Sequence, residues 1–128
     1  MFDHVGLRVS DYARSRQFYE TVLAPLGITL QKELTPAQTG GAAHCGFGNG
    51  APVDFWIGTD VPVSGPLHIA FAAMDRATVR AFHAAAMGIG AMDNGAPGLR
   101  PIYHPDYYGA FVLDPDGNNI EAVCHLPE

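Results

Sequence analysis

The chain repeats itself. Asp3-His4-Val5-Gly6-Leu7-Arg8-Val9-Ser10-Asp11 is matched later by Leu67-His68-Ile69-Ala70-Phe71-Ala72-Ala73-Met74-Asp75. In both segments a histidine opens an apolar run and an aspartate closes it at the same distance, and at one constant offset Ala13, Arg16 and Phe18 recur as Ala77, Arg80 and Phe82. Such a sequence has to build one unit twice. A histidine at the same place in both units can bring two imidazoles to a symmetric cleft, a direct route to a metal site.

The unit reads as βαβββ. Val5, Leu7 and Val9 alternate with polar or small residues, which predicts a half-buried strand. Asp11 is a good N-cap, Phe18, Tyr19, Val22, Leu23 and Leu26 fall at helical spacing, and Gly27 supplies a stop. Ile28–Leu34, Ala42–Phe47 and Pro52–Ile57 are strand-like runs between turn-rich segments. The second half repeats the order: a strand over Leu67–Ala73, then an Asp75-capped helix with Val79, Phe82, Ala86 and Ile89 facing inward, ended by Gly88 or Gly90. The Gly/Pro-rich stretch from Asn94 to Pro105 predicts a long loop in place of a tidy strand. Two strands around the turn Asp114-Pro115-Asp116-Gly117-Asn118 close the unit. The fold class is therefore α+β, with one module over residues 1–63, a second over 64–128, and a linker at 60–66 across their junction.

At 128 residues the two modules are expected to share one core. With 13 acidic and 7 basic residues the net charge is −6, and Lys32 is the single lysine. No basic patch offers a surface to nucleic acid or to an anionic membrane. No apolar run approaches a bilayer span, and Asp3 and His4 interrupt the N-terminus where a signal peptide needs apolar residues, so a cytoplasmic location is expected. Cys45 and Cys124 form no CxxC pair and are expected as buried free thiols.

Val53-Asp54-Phe55-Trp56 aligns with Ile120-Glu121-Ala122-Val123, which puts a carboxylate in the last strand of each module. An acid among apolar neighbours needs a cation, hydrogen bonds or water to offset its desolvation. Two histidines and two carboxylates on corresponding strands supply mixed N/O donors for one divalent metal such as zinc, nickel, manganese or iron.

The paired modules, the strand-initial histidines and the ending Asp114-Pro115-Asp116-Gly117-Asn118-Asn119-Ile120-Glu121 together resemble the vicinal oxygen chelate superfamily of glyoxalase I, bleomycin resistance proteins and extradiol dioxygenases. The resemblance spans essentially the whole chain. It implies sheets curled around a metal cleft, a homodimer, and a small-molecule substrate chelated through adjacent oxygens. By position it makes His4, His68 and Glu121 metal ligands, and it places Asp54 where a fourth ligand often sits, one methylene shorter than the glutamate usual in glyoxalases. A glyoxalase-like lyase or isomerase is the leading expectation. An extradiol-type dioxygenase follows if Asp54 does not ligate, and a metal-free binding or antibiotic resistance protein is the alternative outside enzymes.

Further candidates surround this set. Asp54 is a candidate base, and Tyr107, Tyr108 and His104 are candidate proton donors just ahead of the strand that pairs with the Glu121 strand. Arg100 is a candidate for a substrate carboxylate, and Trp56 and Phe47 for an apolar wall. His44, His83 and His125 have no counterpart that raises them above structural residues.

Overall fold

The computed structural model describes residues 3–50, 52–60 and 65–128. The first module comprises β1 (Val5–Arg8), α1 (Tyr12–Leu23), β2 (Thr29–Leu34), a short helix α2 (Pro36–Thr39), β3 (His44–Gly48) and β4 (Phe55–Gly58). The second comprises β5 (His68–Ala72), α3 (Arg76–Gly88), β6 (Met92–Leu99), β7 (Tyr108–Leu113) and β8 (Asn119–Cys124). The expected boundary between residues 63 and 64 lies outside the described residues.

Each module is a four-stranded mixed sheet, ordered β1-β4-β3-β2 and β5-β8-β7-β6. The first strand of each runs parallel to the last, and the other pairings are antiparallel. The sheets do not close on each other. Asp11 caps α1 by accepting from the N–H of Arg14, and Asp75 caps α3 through Thr78, so both capping aspartates act as expected. Pro25 turns the end of the first helix into a 3-10 turn, and Gly27 then takes the left-handed conformation that ends it.

Strand alternation decides the rest. Leu7, Val9, Cys45, Phe47, Phe55 and Ile57 point to α1, and Ala110, Val112, Ile120, Ala122 and Cys124 point to α3. Both sets join Phe18, Tyr19, Val22, Leu23, Val79, Phe82 and Ala86 of the helices in one core. The modules meet inside that core, where the Phe55 and Phe71 rings lie 5.2 Å apart, edge to face. The opposite face of each sheet is left open.

Two expectations change. Ile89 is 39% exposed rather than inward, because α3 stops at Gly88 and the chain turns away at Gly90. The stretch expected as a loop from Asn94 is a strand through Leu99, its glycines and Pro97 absorbed at two irregularities in the ladder to β7. The loop proper is residues 100–107. Cys45 and Cys124 are buried free thiols, and burial pushes the Cys45 thiol up to about 11.

The turn 114–118 ties the modules together. The Asp114 carboxylate is buried and accepts from the Tyr19 hydroxyl at 2.7 Å, from the Asn118 amide at 2.8 Å, and from the backbone N–H groups of Asp116 and Asn118. Asp116 in turn accepts from the backbone N–H and the hydroxyl of Ser10. A hydrogen bond to a charged acceptor contributes about 1.5–3 kcal/mol. Tyr19→Phe should therefore lower stability by about that amount, read as a lower urea midpoint at unchanged slope. A midpoint equal to wild type would show that this bond carries no stability.

Candidate metal centre on the open sheet faces

Glu121 sits on the open face of the second sheet yet is only 1% exposed. Its Oε1 accepts from the Tyr107 hydroxyl at 2.5 Å, and its Oε2 lies 3.1 Å from Nε2 of His68. The other imidazole nitrogen, Nδ1, is 3.1 Å from the Asn119 carbonyl oxygen, which can only accept, so Nδ1 carries the proton. In the neutral ring, Nε2 then presents a lone pair to a carboxylate oxygen. The contact needs one proton or one cation between the two atoms. An imidazole whose Nδ1–H is fixed on a carbonyl while Nε2 stays free has the tautomer and orientation of a metal ligand.

Glycine makes room for this pair. A Cβ at Gly109 would lie 2.9 Å from Glu121 Oε1 and 3.3 Å from the Tyr107 ring. Beside them, Phe111 is the cross-strand neighbour of Glu121 and stacks near the His68 ring. The Arg100 guanidinium covers the Phe111 ring at 5.5 Å and donates to the Ala96 carbonyl at 2.8 Å. Arg100 is thus held over the face that carries Glu121.

The remaining loop candidates separate. Tyr108 points to the helix side, where the guanidiniums of Arg76 and Arg80 lie 5.2 and 5.8 Å from its ring, so it is corrected from a site donor to a packing residue. Nδ1 of His104 accepts from the Asp106 N–H, which leaves its Nε2–H to donate to Nδ1 of His125 at 2.6 Å. That imidazole pair packs edge-on against Tyr107 and buttresses the loop without touching Glu121.

The first sheet offers a different surface. Val5 pairs with Phe55 in β1 and β4, whereas Ile69 pairs with Ile120 in β5 and β8. The counterpart of Glu121 is therefore Trp56, and the counterpart of Asn119 is Asp54. The sequence alignment of Asp54 with Glu121 is out of register, because the strand connection is one residue longer in the second module. Trp56 is half-buried on the open face, its indole N–H on the Val53 carbonyl at 3.2 Å, and a Cβ at Gly46 would run into that ring. Asp54 is exposed on the same face, and its carbonyl accepts from the Val5 N–H at 2.8 Å, which sets it beside His4. Phe47 is fully buried against Tyr19 and Phe55, so it belongs to the core and not to a substrate wall.

His4 pairs with Asp3 through Nδ1 at 2.6 Å. Among the described residues, no trio of His, Cys, Asp or Glu lies close enough to hold a metal ion, so one chain brings together only His68 and Glu121 of the expected ligands. His44 and Arg8 both reach Asp60, at 3.4 and 3.2 Å. His83 contacts Asp93. Sequence reasoning did not single out Asn119 as the acceptor that orients His68, although its place two residues before Glu121 on the same strand face was readable.

Burial first, and the hydrogen bond to Glu121 second, push the Tyr107 hydroxyl up to about 12, so it acts as a fixed donor and not as a base at neutral pH. Because the folded value exceeds the ordinary value near 10, the stabilisation is complete below about pH 10 and is lost as pH rises through about 12. The stability gap between wild type and Tyr107→Phe, followed by urea midpoints, should therefore close over that alkaline window. A gap independent of pH there would refute the donor role.

Comparison with known proteins agrees with this architecture. The family model of the glyoxalase/bleomycin resistance protein/dioxygenase superfamily matches residues 1–122. A glyoxalase/bleomycin resistance protein from Albidiferax ferrireducens T118 is 29% identical, with a TM-score of 0.74 over 98% of both chains. Glyoxalase I from Zea mays is 22% identical, TM-score 0.69, over 95% of this chain and 45% of its own. Lactoylglutathione lyase from Agrobacterium tumefaciens is 18% identical, TM-score 0.65, over 94% and 90%. No curated protein matches. With two βαβββ modules in place and the family model covering nearly its whole length, the chain belongs to the glyoxalase/bleomycin resistance protein/dioxygenase superfamily.

Proposed function

We propose that the protein is a metal-dependent enzyme acting on a small, oxygen-rich organic substrate that chelates one divalent metal through two adjacent oxygens. The observation that carries this reading is the His68–Glu121 contact, in which Nε2 of the imidazole faces an oxygen of a buried carboxylate across 3.1 Å while Nδ1 is held on the Asn119 carbonyl. Those donors fit zinc, nickel, manganese or iron. His4 is the proposed third ligand. Because one chain does not gather the three, His4 would come from a second copy whose first open face covers the second open face of this one, giving a homodimer with two equivalent sites.

The metal would supply Lewis acidity toward a chelated oxygen. Tyr107 holds the Glu121 carboxylate in place, the Asn119 carbonyl fixes the His68 ring, and Arg100 offers a guanidinium to a substrate carboxylate. Asp54, exposed beside His4, is the proposed base that moves a proton on the bound substrate, as a glyoxalase-like lyase or isomerase requires. One observation favours a second reaction. With Trp56 at the counterpart of Glu121, the proposed ligands reduce to two histidines and one carboxylate with open positions, an arrangement suited to ferrous iron and extradiol-type oxygenation.

Elemental analysis of untagged protein should find one divalent metal per chain, lost in His68→Ala and in Glu121→Gln. The shared site has its own signature. His4→Ala and His68→Ala each destroy every site alone, but an equimolar mixture after subunit exchange should recover about a quarter of the wild-type sites, since each mixed dimer keeps one intact site. No recovery on mixing would exclude the shared site, and full metal content in His68→Ala would exclude the ligand set. Oxygen uptake with ferrous protein and a catechol would select the oxygenase. Proton exchange on a hydroxy-ketone, abolished in Asp54→Asn, would select the isomerase. A protein that binds small molecules without taking up metal would be a binding protein, and the proposal would fall.

A further inference from the structure

A cavity of about 390 Å³ opens at the seam of the two modules on the side of the helices, between α1, the α3–β6 turn and the β7–β8 turn. Its size falls in the range of roughly 300–1,000 Å³ typical of small-molecule sites. None of His68, Glu121, Arg100 or Trp56 lines it, so it is separate from the open faces.

Two features mark its wall. The first is Arg14. Arg8, Arg16, Arg76 and Arg80 each pair with a carboxylate, and Arg100 is engaged by backbone carbonyls and Phe111. The Arg14 guanidinium alone among the arginines has no such partner among the described residues. It also stands in the first turn of α1, where the helix dipole disfavours a cation, so helix stability gives no reason for it. The second is an apolar lining of Phe18, Ile89, Met92 and Leu113, in which Ile89 and Met92 remain 39% and 66% exposed. The one acid in the wall, Asp114, already accepts four hydrogen bonds from Tyr19, Asn118 and Asp116, so its charge is directed into the protein.

We infer that this cavity binds a small amphipathic organic anion, its acidic group on Arg14 and its hydrocarbon body over Phe18, Ile89, Met92 and Leu113. Charge complementarity at one end and apolar area at the other define the ligand class. A neutral alcohol of the same length fills the same volume but leaves the guanidinium unpaired. The inference does not depend on the metal chemistry.

The probes are octanoate and 1-octanol, followed by displacement of the fluorescent anion 8-anilinonaphthalene-1-sulfonate. One sulfonate probe per chain should bind and be displaced by octanoate, and 1-octanol at equal concentration should leave it in place. Arg14→Gln, a change at an exposed side chain, should weaken octanoate by about tenfold or more, and Ala91→Phe, which fills the cavity, should abolish binding. A urea midpoint for each variant checks that it is folded. Equal displacement by the alcohol, unchanged affinity in Arg14→Gln, or chemical-shift changes centred on His68 and Glu121 would each overturn the assignment. Binding that fades as protein concentration rises would mean that a second copy covers the cavity, which would also overturn it.

Discussion

A strand has two faces, and in this chain one face of each sheet is committed to a helical layer that both modules share. Leu7, Val9, Phe47, Phe55, Ile57, Val112 and Ile120 all face that layer. Burial of this kind contributes about 25 cal/mol per Å² of apolar surface, and nothing on the open faces offers a comparable area. The polar chemistry is therefore sorted by parity. Residues that alternate with the core set, among them His68, Glu121, Trp56 and Arg8, are delivered to the outer surface of the sheets whatever their individual preferences.

Much of this was legible from the residues. The repeat gave two modules, the aspartates gave both helix caps, and the alternation of β1 gave Leu7 and Val9 as core residues. The pairing of Tyr107 with Tyr108 could not be divided by composition. Strand parity divides it, sending one hydroxyl to Glu121 and the other ring to Arg76 and Arg80. The fate of Asp54 turned on a single residue in the length of a connection. Sequence alignment matched acid with acid, while the hydrogen-bonded ladder matches Trp56 with Glu121. The strand β6 was obscured because Gly95, Pro97 and Gly98 have the composition of a loop. Its irregular ladder accommodates them, and the chain regains pairing at Leu99 with Tyr108.

Glycine positions explain how bulky groups lie flat on these faces. Gly46 lies under the Trp56 indole, Gly109 under Glu121 and Tyr107, and Gly95 under Phe111. A methyl group at any of them would lift the side chain above it. The open faces are thus surfaced by a few large side chains resting on bare backbone, which gives each a defined position without a surrounding core.

The turn 114–118 carries a consequence for how such a protein can change over time. Within a few residues it holds Tyr19 and Ser10 of the other module, fixes the start of β5 where the Leu67 N–H donates to the Asn118 side-chain oxygen, and leads into the Asn119 carbonyl that orients His68. Module docking and imidazole orientation are therefore encoded in the same short stretch, and a substitution that adjusts one disturbs the other. Variation in what the open faces recognise has an easier course through residues 100–103 and Trp56, which bear less of the framework than the turn does. Lineages descending from this chain would diverge first at those positions, with the turn held back by its several simultaneous duties.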